Sequence, residues 1–301
     1  MYMVMHGRSK DAVMNVNAGM KKKKRIEESA DVNADKKESE NKAMASSANT
    51  EESQPVISVI MPAYQAGKYI GQAIESVQRQ NCRENWELII IDDCSLDDTA
   101  QAVRRYQADP RIRYVRKKRN EGVAAARNLG IRMARGKYVA FLDADDWWDA
   151  DKLRLQMKCM ARTGAVLCCT GRELVHPDGT QTGKVISVPK RITYSMLMRT
   201  NLIPCGSAVL LRDVAQEFGF VCDRYHEDYI LWLRILKKYK TAAGVNVPAL
   251  KSRQSEGGKS RNKLKSAYMH YGSYRYLGYG RLLSFYYMIF YTLNGFRKYL
   301  G

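Results

Sequence analysis

The sequence predicts an α/β fold built on a mostly parallel sheet. Apolar runs of strand length alternate with helix-length segments from about residue 55 onward, and acidic residues follow several of the runs. Continuous apolar runs are typical of strands buried on both faces, which occur where helices cover both sides of a parallel sheet. The alternation implies crossover connections of right-handed sense between parallel neighbours.

The strands predicted for the first half lie at 56–61, 86–91, 111–115 and 137–142, and the first two are runs rich in Val and Ile. Apolar residues at helical spacing predict helices between them, near 70–77, 99–106 and 122–134. The second half is less regular, and its predicted elements are a helix at 152–162, strands at 165–170 and 207–212, a hairpin near 176–183 and a helix at 227–239.

Composition bounds the class of protein. The chain has 301 residues and is 45% hydrophobic, enough for one large folded domain with tails. Its seven cysteines never form Cys-x-x-Cys, which argues against a disulfide framework or structural zinc and favours a reducing compartment. We expect a cytoplasmic protein, because no signal-peptide pattern is seen and the apolar segment between Arg281 and Arg297 falls short of the roughly 18 to 20 residues that a bilayer demands.

The two ends of the chain differ in charge. Residues 1–54 hold 10 Lys or Arg against 9 acids and little apolar surface, so we predict a disordered leader. Residues 231–301 hold 14 Lys or Arg against one acid, and 268–300 contain nine Tyr and three Phe. Such a segment suits a monotopic element on the anionic inner leaflet of a membrane. The alternative is a C-terminal helix packed on the catalytic domain with its aromatic rings buried.

Acidic residues gather where the predicted strands end. Five carboxylates lie between residues 143 and 151, and Asp93 follows the second strand. Ligands of parallel sheets bind beyond the carboxyl ends of the strands. Asp143 and Asp145 therefore suit a hard divalent cation, although acids before a helix also serve as caps. Asp93 could accept a hydrogen bond from a base or ribose, or could cap the next helix.

Glu227 and Asp228 open the apolar helix predicted at 227–239. A carboxylate held there could act as a general base. It could equally be an acid that merely favours the positive end of the helix, which needs no function. On either reading, we expect the helix dipole to keep the pKa of Asp228 low.

The order of five segments resembles the family 2 glycosyltransferases, in particular bacterial enzymes of surface-polysaccharide assembly. The segments are 57–80, 89–99, 120–131, 138–148 and 227–236. The resemblance runs from about residue 55 to the C-terminus. It implies a GT-A fold, with a Rossmann-like nucleotide-binding sheet flanked by helices, a smaller mixed acceptor-side region and C-terminal helices. The implied domains are a catalytic domain at 55–260 and a membrane-associating segment at 261–301.

The resemblance also implies roles for individual residues. Nucleotide contacts fall to Pro62, Ala63, Tyr64, Asp93, Arg127 and Asp143, with Asp93 at the uracil and Asp143 at the ribose. Asp145 would coordinate Mn²⁺ or Mg²⁺, and Asp228 would be the catalytic base beside Glu227. This chain departs from the family pattern at Gln65, where Asn is usual, and at Cys94, where Gly is usual.

The implied reaction is an inverting, metal-assisted transfer of a sugar from a nucleotide-diphosphate donor, with UDP-sugars expected. The acceptor would be a hydroxyl of a glycan or of a polyprenyl-linked saccharide at the inner face of the cell membrane. Two other classes stay open: a non-catalytic protein that binds anionic surfaces, and a sugar-nucleotide pyrophosphorylase. The C-terminal charge supports the first, but we expect no nucleic-acid partner because the acidic motifs argue against it. A sugar-nucleotide pyrophosphorylase would need a glycine-rich, basic loop after the first strand, and the segment "PAYQAGK" does not supply one.

Overall fold

The first four apolar runs form the parallel half of one sheet. The computed structural model describes residues 54–221, 223–254 and 263–300. Its first four strands are β1 (Ile57–Ala63), β2 (Trp86–Asp92), β3 (Ile112–Arg116) and β4 (Tyr138–Phe141). They lie in the order β3-β2-β1-β4, and all three pairings are parallel. The predicted sheet is confirmed.

The second half of the sheet is mixed. Its strands are β5 (Trp147–Trp148), β6 (Leu167–Val175), β7 (Gln181–Ile186), β8 (Arg191–Thr193), β9 (Ala208–Leu211) and β10 (Thr241–Arg253). β9 runs antiparallel between β4 and β6. β10 pairs in parallel with β6 and antiparallel with β5 and β8, and β7 forms a hairpin with β6. The sequence patterns did not predict β5, β8 or β10.

Helices cover both faces of the sheet. They are α1 (Ile70–Gln78), α2 (Thr99–Arg104), α3 (Val123–Met133), α4 (Lys152–Thr163), α5 (Tyr194–Arg199), α6 (Arg212–Phe218), α7 (Glu227–Tyr239), α8 (Lys263–Tyr276) and α9 (Arg281–Leu300), with a 3₁₀ turn at Cys205–Ser207. Alternate residues of a strand point to opposite faces, and those of β1 and β2 accordingly divide between two apolar clusters. One cluster includes residues of α1 and α4, the other residues of α3, α6 and α7.

A glycine lets α3 lie close to the sheet. A Cβ at Gly130 would come within 2.4 Å of the Cγ2 atom of Ile60 on β1, so a larger residue would push the helix outward. Arg127 lies one helical turn before this contact. The close approach therefore holds Arg127 near the strand ends.

Three sequence predictions concern the ends of the chain. The predicted leader at 1–54 lies outside the described residues apart from Gln54, and so does the predicted boundary between 260 and 261. Among the described helices, none is both long enough and apolar enough to cross a bilayer.

Candidate active site

The carboxyl ends of β1, β2 and β4 meet at one edge of the sheet, as the parallel order requires. Ala63 at the end of β1 is in register with Asp92 at the end of β2. The amide of Asp93 donates to the Ala63 carbonyl at 2.8 Å. The predicted nucleotide-binding residues that this edge brings together are Pro62, Ala63, Tyr64, Asp93 and Asp143.

Arg127 on α3 connects the end of β4 with the start of α7. Its Nη2 donates to Asp143 Oδ1 at 2.6 Å, and its Nη1 donates to Glu227 Oε1 at 2.9 Å. The guanidinium also lies over the ring of Phe220, 5.2 Å from its centroid. Because Arg127 and Glu227 are both almost fully buried, their ion pair is shielded from water, whereas the Asp143 side chain is 34% exposed. One side chain thus joins the Asp-x-Asp segment to the helix that carries the predicted base.

Asp228 lies in the first turn of α7, beside this ion-pair network. Its Oδ1 accepts the amide of Tyr229 at 2.7 Å. Burial and the adjacent charge of Glu227 raise the pKa of Asp228 above its usual value, against the opposing effects of His226 and Arg127. The expectation that the helix dipole would keep this pKa low is therefore wrong. Loss of hydration and a neighbouring like charge outweigh the dipole.

The acidic loop after β4, residues 143–146, is held by its backbone. The amide of Asp146 donates to the Asp143 carbonyl at 3.1 Å, which closes a turn around Asp145. The Asp146 carboxyl is buried and accepts the amide of Arg253 at 2.8 Å. Burial, followed by the charges of Asp145 and Asp143, raises the pKa of Asp146 well above its usual range. Asp143 and Asp145 therefore place negative charge at the strand end.

The donor set fits a divalent cation only in part. The described residues contain no group of three or more His, Cys, Asp or Glu side chains placed to hold a metal ion. Carboxylate oxygens are nevertheless the ligands that Mg²⁺ and Mn²⁺ prefer, and such ions often take one or two carboxylates together with substrate phosphates. Asp143 and Asp145 could supply such a site with the phosphates of a bound nucleotide.

The Asp93 carboxylate already accepts hydrogen bonds from several protein groups. Its carboxylate pairs with Lys117 Nζ at 2.7 Å and accepts the amides of Glu121 at 3.0 Å and Gly122 at 2.7 Å. These contacts tie the end of β2 to the residues before α3. A contact between Asp93 and uracil stays a prediction, and it would have to share oxygens that these donors use. Tyr64 differs, since its ring is 49% exposed at the same edge.

The acids that precede α2 and α4 test the alternative that these residues serve as helix caps. Asp93 does not cap α2, and the N-cap residue Asp98 makes no side-chain capping bond, although Asp97 Oδ1 accepts the amide of Thr99 at 3.1 Å. Asp151 precedes α4 but makes no capping bond, and its carboxylate pairs with Arg154 at 3.0 Å. Asp149 pairs with Lys251 at 3.1 Å. Helix capping therefore does not account for the acids that follow β4.

Both departures from the family pattern lie at strained backbone positions. Gln65 has φ of 49° and Cys94 has φ of 68°, the left-handed region where Gly and Asn are favoured. Each follows a strand end at the site. The usual Asn and Gly suit this backbone better than the residues that this chain carries.

Two residues at the candidate site, Lys117 and Arg253, were not predicted from the sequence. Lys117, just beyond β3, pairs with both Asp93 and Glu121. Arg253 ends β10 and contacts the acidic loop. A basic residue after a strand end was the available signal for Lys117. Arg253 had none, because its strand was not predicted.

The two C-terminal helices fit different alternatives for the basic, aromatic segment: α8 is packed on the domain, and α9 has an exposed apolar face. α8 packs against α7: the His270 ring stacks on Tyr229 with centroids 4.4 Å apart, and the buried Tyr274 donates its hydroxyl to the Met198 carbonyl at 2.7 Å. α9 instead exposes an apolar stripe. The stripe consists of Leu282, Phe285, Tyr286, Ile289 and Leu293, which share one helical face.

Comparison with known proteins identifies the family. The family model described as glycosyl transferase family 2 matches residues 58–219. The chain is 37% identical over 223 residues to the putative teichuronic acid biosynthesis glycosyltransferase TuaG of Bacillus subtilis, covering 74% of this chain and 88% of TuaG. It is 34% identical over 245 residues to the UDP-Glc:alpha-D-GlcNAc-diphosphoundecaprenol beta-1,3-glucosyltransferase WfgD of Escherichia coli, covering 81% of this chain and 94% of WfgD.

Solved structures share the architecture. S. aureus TarS in complex with UDP-GlcNAc superposes with a TM-score of 0.60 at 18% identity, covering 81% of this chain and 76% of that one. The mannosyltransferase PcManGT from Pyrobaculum calidifontis, in complex with GDP-Man and Mn²⁺, gives 0.61 at 20% identity, covering 79% and 70%. These likenesses show the fold, which is GT-A. With the family model and the relatives of higher identity, they confirm the resemblance read from the motifs: the chain belongs to glycosyl transferase family 2 and is a glycosyltransferase.

Proposed function

We propose that the protein is an inverting, metal-assisted glycosyltransferase that moves a sugar from a UDP-sugar donor to a hydroxyl group of a glycan or lipid-linked acceptor in cell-surface polysaccharide assembly. The observation that carries the proposal is the Arg127 bridge. Asp143 belongs to the predicted donor site and Glu227 adjoins the predicted base, and one guanidinium contacts both. The donor phosphates and the base can then face one substrate.

The nucleotide would lie across the strand ends. Tyr64 offers an exposed ring there, and Pro62, Ala63 and Asp143 lie on the same edge. WfgD is named as using UDP-Glc, and TarS binds UDP-GlcNAc. Asp145, with Asp143, would hold Mn²⁺ or Mg²⁺, which would supply Lewis-acid stabilisation to the leaving diphosphate. PcManGT was solved with Mn²⁺.

Asp228 would act as the general base. The acceptor hydroxyl oxygen attacks the anomeric carbon, the bond from that carbon to the diphosphate oxygen breaks, and the hydroxyl proton passes to the Asp228 carboxylate. One displacement inverts the anomeric configuration. A carboxylate with a raised pKa is a stronger base than an ordinary aspartate, because its protonated form is better stabilised.

A panel of nucleotide sugars with Mn²⁺, scored by donor hydrolysis and transfer, tests the reaction. Asp145→Asn should abolish turnover, as should EDTA. Asp228→Asn should lower transfer by about two orders of magnitude or more, the scale of a lost general base, while nucleotide binding is retained. Asp213→Asn, at a carboxylate that is 91% exposed on α6, is the matched control and should behave as wild type. Full activity in EDTA, or benign Asp228→Asn beside a damaging Glu227→Gln, would contradict these roles.

The lipid-linked acceptor suggests where the enzyme works. WfgD is named as acting on a diphosphoundecaprenol-linked sugar. The apolar stripe of α9 lies within the C-terminal region 231–301, which has 14 Lys or Arg and one acid, a combination suited to an anionic leaflet. The enzyme would thus lie on the cytoplasmic face of the membrane without spanning it, with no nucleic-acid partner.

Co-sedimentation with liposomes tests this location. The triple variant Leu282→Gln, Phe285→Gln, Ile289→Gln should lose binding to anionic liposomes, and wild-type binding should weaken with salt and require anionic lipid. Val185→Gln, an exposed apolar residue on β7, is the control. Unchanged binding by the triple variant would end the membrane part of the proposal.

A further inference from the structure

Arg253, the last residue of β10, contacts the acidic loop through both its backbone and its side chain. Its amide donates to Asp146 Oδ1 at 2.8 Å, and its Nε donates to the Asp145 carbonyl at 2.9 Å. The residue is 8% exposed, so these bonds are sheltered from water. The contacts hold Asp145 and Asp146 at fixed positions relative to β10.

The rest of the guanidinium contacts two further segments. Nη1 donates to the Pro177 carbonyl in the β6–β7 hairpin at 2.8 Å, and Nη2 donates to Gln72 Oε1 on α1 at 2.7 Å. The guanidinium lies between two rings, 4.4 Å from the centroid of Tyr69 and 4.9 Å from that of Trp147. Three hydrogen bonds and two ring contacts leave the side chain little freedom.

Arginine suits this place better than lysine. A planar guanidinium carries five N–H donors in a fixed array and can stack on aromatic faces, whereas an ammonium group is a compact charge with three donors. Nε, Nη1 and Nη2 of Arg253 donate in three directions at once. Lysine could keep the charge and one of these bonds.

We propose that Arg253 is a positioning residue for the Asp143–Asp145 motif: by holding the Asp145 carbonyl against β10, α1 and the β6–β7 hairpin, it presents the carboxylates of the motif to a nucleotide diphosphate and its cation. This inference rests on the proposed function. The side chain donates to protein acceptors on three segments, so its role is to order the loop rather than to bind the phosphates itself. Replacing Arg253 therefore reduces the gain in nucleotide affinity that the metal ion provides.

Lys251 provides a matched control on the same strand. It lies two residues before Arg253, and its amine pairs with Glu173 at 3.0 Å and Asp149 at 3.1 Å. Lys251→Ala removes an equal charge from β10 without touching the bond to Asp145. A general effect of charge or of strand stability would appear in both variants.

The experiment is calorimetric titration of UDP into wild type, Arg253→Ala, Arg253→Lys and Lys251→Ala, each in saturating Mn²⁺ and in EDTA. We expect Arg253→Ala to weaken UDP binding about 10-fold in Mn²⁺, a loss of roughly 1.4 kcal/mol, and to leave binding in EDTA unchanged. Arg253→Lys should fall between, and Lys251→Ala should match wild type. Arg253→Lys keeps the test available if Arg253→Ala fails to fold.

Two results would overturn the inference while leaving the proposed function intact. Weaker UDP binding by Arg253→Ala in EDTA as well would mean that Arg253 contacts the nucleotide directly. A lower melting temperature with an unchanged Mn²⁺ effect on UDP affinity would mean that it serves stability alone. A wild-type enzyme that gains no UDP affinity from Mn²⁺ would instead overturn the metal-assisted function, and this inference with it.

Discussion

Arg127→Met removes the cation between Asp143 and Glu227 while keeping most of the apolar stem of the side chain. The ion pairs measure 2.6 and 2.9 Å, and the side chains of Arg127 and Glu227 are 4% and 9% exposed. Water therefore screens the pair with Glu227 very little. The substitution leaves a buried carboxylate without its cation.

The expected loss of stability follows from this burial. Removing one partner of a buried ion pair costs about 3 to 5 kcal/mol, because the remaining charge stays desolvated. Asp143 is 34% exposed and can regain water, so we expect a loss near the lower limit, about 3 kcal/mol. Against a typical free energy of unfolding of about 5 to 15 kcal/mol, that is a large share.

A double-mutant cycle predicts that the effect of Glu227→Gln on the free energy of unfolding changes sign when Arg127 is replaced by Met. In the wild-type background Glu227→Gln removes a charge-assisted bond and should destabilise by about 1 to 2 kcal/mol. In the Arg127→Met background it removes a buried charge that has lost its ion pair with Arg127, and should stabilise by about 1 kcal/mol. Urea unfolding at neutral pH measures all four free energies.

The exposed pair Lys238–Glu217 provides the control cycle, since its side chains are 53% and 46% exposed. Such surface pairs contribute little to stability, so the effects of Lys238→Met and Glu217→Gln should nearly add. If Arg127→Met and Glu227→Gln were also additive within about 0.5 kcal/mol, the bridge would not couple the two halves of the site.

Three further predictions concern charge and backbone. Glu227→Gln removes a charge that raises the pKa of Asp228, so the acid limb of kcat/KM against pH should move to lower pH; an unmoved limb would assign it to another group. Burial lowers the pKa of Lys152 to about 7, so the unfolded chain holds more protons and wild-type stability should rise between pH 7 and 10. Lys152→Met should reduce this rise in the free energy of unfolding by roughly 3 kcal/mol. Urea unfolding that shows the same pH dependence for wild type and Lys152→Met would refute this prediction. Cys94→Gly should stabilise by about 0.5 to 1 kcal/mol by relieving the positive φ, whereas Cys94→Ala, which keeps the Cβ, should not; equal thermal shifts would exclude backbone strain.

The sequence by itself determined the parallel half of the sheet and the sheet edge at which the candidate site lies. β1, β2 and β4 are short apolar runs closed by polar residues, and α7 was predicted with its observed bounds, Glu227–Tyr239. Such patterns are local, since burial on both faces requires a continuous apolar run. The edge that collects Tyr64, Asp93 and Asp143 then follows from parallel order alone.

Only the tertiary structure decided how the site is held together. β10 contains Gly244 and Pro248 and no regular alternation, so no local pattern marked it as a strand. Arg253 meets partners 108 and 181 positions away, and Arg127 meets Glu227 across 100 positions. The pKa of Asp228 was misjudged for the same reason. The helix dipole and the adjacent Glu227 are visible in the sequence, but the burial that does most to outweigh the dipole arises only when distant segments pack together.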